Sequence, residues 1–211
     1  MSLGLTDVTV VFGQRGCGKS TLARRLAEIY PRKVVFDPMK EWGNEPNAKF
    51  FSDFESFCAL WAELYDQASF TLVYHRVPGT SMENAASDFS GILGVIHATG
   101  ETDPGNYGVC LVLEEFQFLA PVHSLDAWLG ECVFTGRHAG TAIIASTQRP
   151  ASIHKSFVSQ ASHIFVGKLF EARDIAYLRE TIGDDAFKAR DLPRFQFLWV
   201  IPGETARIID L

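Results

Sequence analysis

Residues 13–20 read Gly13-Gln14-Arg15-Gly16-Cys17-Gly18-Lys19-Ser20, a match to G-x-x-x-x-G-K-[ST] at every fixed position. The stretch lies between an apolar run at 7–12 (DVTVVF) and an amphipathic one over 19–29. A strand, a tight turn and a helix in that order make a loop whose N–H groups point inward at an anionic phosphate. The helix adds its positive dipole end. Lys19 is suited to neutralising the outer phosphate oxygens, and the Ser20 hydroxyl to sitting on Mg2+. The expected nucleotide-binding set is therefore Gly13, Gln14, Arg15, Gly16, Cys17, Gly18, Lys19, Ser20 and Thr21. Cys17 occupies a free position, where it is expected to supply a backbone amide, with a thiol open to modification.

The same alternation continues along the chain. Short apolar runs at 33–36, 70–75, 108–113, 141–146 and 163–166 read as strands. Between them, helices are expected over 52–66, with Ser52 as N-cap and Glu55 three residues on, and over 82–98, 125–134 and 172–181. The runs 195–201 and 206–209, split by Pro202-Gly203, predict a terminal β-hairpin. Near-continuous apolar strands need helices on both faces of a sheet, so the expected fold is a three-layer α/β domain with a mostly parallel sheet.

A length of 211 residues fits one domain over 1–211. With 47% hydrophobic and 21% charged residues, the composition excludes a disordered chain. No apolar run approaches the roughly 18 residues of a membrane span, and residues 1–7 lack the basic and apolar regions of a secretory signal. Cys17, Cys58, Cys110 and Cys132 are scattered without a CxxC pair or zinc-ligand spacing, which suits reduced thiols in a cytosolic protein. The net charge of −6 argues against a module that wraps nucleic acid by general attraction. Any DNA contact has to come from a local basic surface, shared between subunits if need be.

The most apolar strand, 108–113, ends in Glu114-Glu115. In open α/β sheets the C-terminal strand edge is where ligands bind. One carboxylate there holds Mg2+ or its water, and a second orients and activates the attacking water. Glu114 is the metal-side candidate beside Ser20, and Glu115 the general base. Gln148 ends the strand 141–146 at the same edge, within reach of a γ-phosphate or attacking water. Asp37 tips the strand 33–36, where it either orients water near the metal or caps the Pro38 turn.

Taken together, VVFGQRGCGKST, VVFDPMKEW, CLVLEEF and GRHAGTAIIASTQRP resemble the FtsK–HerA superfamily of RecA-like DNA-pumping ATPases. The short form is most similar to the genome-packaging ATPases of double-stranded DNA viruses. The likeness covers about residues 7–170, and its discriminating piece is the Arg-x-x-Gly that runs into a strand ending Thr-Gln-Arg-Pro. It implies a RecA-like P-loop ATPase fold and a homo-oligomeric ring, usually a hexamer. ATP would sit at the subunit interfaces and double-stranded DNA in the channel. It also implies that Gln148 senses the γ-phosphate and that Arg137 reaches a neighbouring subunit's nucleotide, with Arg149 and Arg173 in reserve. The first residue of the acidic pair is usually Asp, so Glu114 departs from the pattern. A cytoplasmic or virion-associated location follows, with capsid or viral membrane proteins as further partners.

Two other readings stay open. A Zot-like assembly or secretion ATPase shares the phosphate loop and small size but usually adds a membrane segment. A small nucleotide kinase usually carries an Arg-rich lid, absent between Arg137 and Arg149. Residues 151–157 (ASIHKSF) carry His154, Lys155 and Ser156 and read as a solvated loop, or else as a phosphate contact in a ring channel. The remaining histidines, His75, His97, His123, His138 and His163, show no ligand spacing and are expected to be structural.

Overall fold

Every residue of strand β1 (Val8–Phe12) is buried, and its side chains alternate between two separate cores. Val8, Val10 and Phe12 face one core, and Val11 the other. The computed structural model describes residues 3–103 and 108–211. In chain order the elements are β1, α1 (Lys19–Ala27), β2 (Arg32–Phe36), β3 (Lys49–Phe51), α2 (Phe54–Leu64), β4 (Phe70–Tyr74), α3 (Met82–Thr102), β5 (Val109–Leu113), α4 (Ala127–Phe134), β6 (Thr141–Thr147), α5 (Lys155–Ser159), β7 (His163–Val166), α6 (Ala172–Ile182), β8 (Gln196–Val200) and β9 (Arg207–Asp210).

The strands form one sheet in the order β3-β4-β2-β5-β6-β1-β7-β8-β9. The first seven in that order pair in parallel, and β8 and β9 add antiparallel at the end. The period-two alternation of β1 recurs in β5, whose Val109, Leu111 and Leu113 face one core while Cys110 and Val112 face the other. Helix α1 packs Leu22, Ala23 and Leu26 on one face. On the opposite face lie α2, α3, α4 and α6, through Phe57, Phe89, Leu129 and Leu178. The result is the three-layer α/β fold that the sequence implies, with the C-terminal hairpin. Among the described residues no helix is long and apolar enough to cross a membrane, and all four cysteines are free.

Several local expectations are corrected. The cap of α2 is Asp53, not Ser52, because the Asp53 carboxylate accepts from the Ser56 N–H at 2.8 Å. Strand β3 and a 3₁₀ run over Gly183–Arg190 were not foreseen, and α3 continues to Thr102. Residues 151–157 are not a solvated loop. Pro150–Ser152 makes a 3₁₀ turn, Ile153 bridges to Pro121, and α5 follows. Burial of Ile153, Phe157 and Val158 holds this segment down. Its Lys155 is exposed and pairs with Glu180 at 3.0 Å.

Because β2, β5, β6 and β1 are parallel neighbours, their C-terminal tips lie side by side at one edge. That edge carries, in order, Asp37, the Glu114-Glu115 pair, Gln148 and the phosphate loop.

Candidate active site

The phosphate loop leaves β1 and is pinned at once to its neighbours. The Gly13 N–H donates to the Thr147 carbonyl at 3.3 Å, and the Gln14 N–H to the Lys168 carbonyl at 2.8 Å. Gly13 has φ +155°, and a Cβ there would lie 2.5 Å from Cys17 Sγ, so a side chain at this position is strained and displaces the thiol. The Cys17 thiol is packed beneath the loop with its pKa pushed up by burial, which corrects the expectation of a modifiable thiol. Its N–H donates to the Gln14 carbonyl at 3.3 Å, so it closes the loop's own turn.

Helix α1 starts at Gly18 (φ +110°) with no side-chain cap and no acidic residue in its first turn. Its leading N–H groups and positive dipole end are thus left for an anion. Lys19 is buried, and its Nζ donates to the Gln14 carbonyl at 3.2 Å, arching over the loop. Lys19, Ser20, Thr21, Glu115 and Gln148 all line one cavity of about 310 Å3.

Glu114 is buried, with both carboxylate oxygens engaged. Trp42 Nε1 donates to Oε1 at 3.1 Å, Ser146 Oγ donates to Oε2, and Ser20 Oγ lies 3.5 Å from Oε2. Burial raises its pKa to about 7 against the lowering effect of the Ser146 and Trp42 hydrogen bonds. Ser20 Oγ also donates to Glu41 Oε2, a carboxylate that sequence reasoning did not single out. Hydroxyl and carboxylate oxygens suit Mg2+, which takes one or two carboxylates and fills its shell with phosphates and water. Among the described residues no group of three His, Cys, Asp or Glu could hold a metal by itself. Ser20 with Glu114 and Glu41 therefore fits Mg2+ that arrives with a nucleotide.

Glu115 sits one residue on with φ +51°, a left-handed conformation uncommon outside glycine. That turn separates its carboxylate from that of Glu114. Gln148 Nε2 donates to Glu115 Oε1 at 2.5 Å, and Gln117 Nε2 to Oε2 at 2.8 Å. Gln117 is fixed in turn by Thr147 Oγ1, which donates to its Oε1 at 2.6 Å. Gln117 was also missed; the only signal is a carboxamide two residues beyond the acid, on a tight turn. It acts on Glu115 by positioning. Gln117→Ala is expected to lower kcat about tenfold, the scale of one hydrogen bond to a charged group, with KM for ATP unchanged. Unchanged kcat would remove Gln117 from the site.

Asp37 does not face this cavity. It is fully buried, accepts from the Glu41 and Trp42 N–H groups at 2.8 and 2.7 Å, and so caps the turn after Pro38. Arg137 is exposed in the turn that precedes β6, at the opposite sheet edge from Gln148. Arg149 is exposed beside the site and pairs with Glu171 at 3.5 Å, while Arg173 is exposed on α6. His97 and His163 are buried, and His163 is held between Asp7 and Trp199.

No protein-family model matches the chain. In sequence, residues of this chain are 31% identical over 86 positions to a probable DNA double-strand break repair helicase HerA of Methanocaldococcus jannaschii; the match covers 38% of this chain and 17% of that protein. In structure, it is similar to the genome-packaging NTPase B204 of Sulfolobus turreted icosahedral virus 2, solved with ATP-γS. That likeness has a TM-score of 0.74 at 17% identity and covers 98% of this chain and 97% of that one. The AMPPCP complex of the same NTPase gives a TM-score of 0.74 at 18% identity, covering 97% of both chains. The type VII secretion ATPase EccC of Thermomonospora curvata gives 0.59 at 14% identity, over 98% of this chain and 25% of that one. The chain thus shares its fold with a viral genome-packaging NTPase over nearly its whole length, and over 86 residues its sequence is similar to HerA.

Proposed function

We propose that this chain is an ATP-hydrolysing motor that moves double-stranded DNA and packages a viral genome, working as a homo-oligomeric ring with Mg2+-ATP at its interfaces. The observation that carries the reading is the meeting of Lys19, Ser20, Glu115 and Gln148 around one cavity, with Glu114 behind Ser20. The near-complete structural match to a packaging NTPase supports the choice of cargo. A location in the host cytoplasm or the virion, with capsid or viral membrane proteins as partners, goes with it.

In this reading the loop amides and Lys19 hold the phosphates, and Ser20 and Glu114 face the metal. The Ser20 hydroxyl and the Glu114 carboxylate would hold Mg2+, which would supply positive charge to offset that of the phosphates. Glu115 takes a proton from the attacking water. The water oxygen forms its bond to the γ-phosphorus as the bond to the bridging oxygen breaks, and ADP leaves with that electron pair. Gln148 donates to one oxygen of this carboxylate, Oε1. A γ-phosphate in the cavity would compete with Glu115 for the Gln148 amide, which would make Gln148 a reporter of bound ATP.

The net charge of −6 makes the DNA contact local. The test is the ATPase rate with and without duplex DNA at one fixed salt concentration, alongside native mass. DNA stimulation of a multi-subunit species is expected. Lys19→Ala should weaken nucleotide binding about 10- to 100-fold, the scale of hydrogen bonds to a charged group. A secretion ATPase, the reading favoured by the fold shared with EccC, would show no duplex stimulation. Phosphate transfer to an added nucleoside monophosphate would instead mark a kinase.

A further inference from the structure

A second cavity, of about 500 Å3, continues the phosphate site along α1. It is lined by Thr21, Arg24, Arg25, Glu28, Phe195 and Leu211, and it shares Thr21, Arg24 and Phe195 with the first. Phe195 is unusual on three counts. Its φ is +66°, which is an outlier for a bulky side chain. The residue remains 36% exposed although apolar. It is nonetheless firmly held, since its N–H donates to the Cys17 carbonyl at 2.9 Å and its carbonyl accepts from the Leu211 N–H at 3.0 Å. The ring lies against the phosphate loop itself, for a Cβ on Gly18 would come within 2.6 Å of Phe195 Cδ1. The Arg194 guanidinium lies over one face of the ring, 4.4 Å from its centroid, and the exposed part of the ring lines the cleft. A strained backbone that presents an exposed aromatic to a cleft beside a phosphate site points to a ligand.

We propose that this cleft is the base-binding subsite, and that Phe195 is the residue on which the adenine of ATP stacks. The inference rests on the nucleotide reading of the phosphate loop. Phosphates held by the loop and the first turn of α1 send the ribose out past Thr21, and the cleft beyond it offers Phe195, flanked by Leu211, as a flat apolar wall. Stacking on an aromatic ring gives affinity without reading the base edge. It also ties the grip on the base to the C-terminal hairpin, because Phe195 immediately precedes β8 and Leu211 follows β9.

The experiment is calorimetric titration of ATP and of inorganic tripolyphosphate into the wild-type chain, Lys19→Ala, Phe195→Gly and Phe195→Tyr. Glycine removes the ring and takes the left-handed conformation freely, so that variant relieves strain and keeps the fold. The wild type should bind ATP about tenfold or more tighter than tripolyphosphate, the scale of base–aromatic stacking. Phe195→Gly should lose that advantage and keep its tripolyphosphate affinity, and Phe195→Tyr should retain both. Unchanged ATP affinity in Phe195→Gly overturns the base site and leaves the phosphate loop standing. Failure of either ligand to bind the wild type, or equal binding to Lys19→Ala, overturns the nucleotide reading and the base site with it.

Discussion

Glu115→Gln is expected to bind ATP as the wild type does and to hydrolyse it about 100- to 10,000-fold more slowly, the contribution of a positioned general base. Two nearby carboxylates compete for this role, and their surroundings separate them. Glu114 is buried, accepts from Trp42 and Ser146, and turns its remaining reach to Ser20. Glu115 is half-buried on the cavity wall, with one oxygen on Gln148 and the other on Gln117. Of the two, Glu115 alone lines the phosphate cavity, with Gln148 beside it. The substitution keeps the size of the side chain and removes its basic oxygen, so it tests proton transfer rather than packing. Steady-state phosphate release, paired with a fluorescent-nucleotide titration, measures both quantities. Wild-type turnover in Glu115→Gln would refute the assignment, and a loss confined to Glu114→Gln would exchange the two roles.

The phosphate loop was legible because its chemistry is local. Gly13, Gly18, Lys19 and Ser20 take their roles from their spacing between β1 and α1, and no distant neighbour is needed to place them. The strand-tip residues were legible for a topological reason. Apolar runs such as VCLVL and TAIIAST must be buried on both faces, a buried sheet of this kind is parallel, and parallel strands bring Glu114, Glu115 and Gln148 to one edge. What failed were the contacts decided by packing. Strand β3 has three residues and exists because β4 offers it an edge. The segment 151–157 looks polar, yet Ile153 and Phe157 anchor it. The second amide on Glu115 comes from Gln117, whose orientation depends on Thr147 from another strand. Asp37 left two roles open in the sequence, and the N–H groups of Glu41 and Trp42 settle its contacts as those of a turn cap. Glu41 reaches Ser20 only because that capped turn folds back over α1, with the Arg24 guanidinium donating to its carbonyl.

Arg137→Ala is expected to slow ATP hydrolysis about 1,000-fold or more, as the loss of an arginine donated to the transferring phosphate does. A single chain cannot use Arg137 on its own nucleotide. Strand β6 is seven residues long, which puts about 20 Å between the turn that holds Arg137 and the tip that holds Gln148. The competing role is a cation at the end of α4, whose last carbonyls precede Arg137; its loss would cost stability and leave turnover intact. Mixing Arg137→Ala subunits with Lys19→Ala subunits separates the two. If Arg137 acts across the interface, each variant alone is expected to be nearly inactive. In a mixed ring, an Arg137→Ala subunit keeps its phosphate loop and can receive the arginine of a Lys19→Ala neighbour. With random equal mixing and head-to-tail interfaces, about a quarter of the sites become complete. Recovery of activity toward that fraction supports donation across the interface. A mixture as inactive as its parents means that Arg137 does not act on the nucleotide, and the trans assignment passes to Arg149 or Arg173.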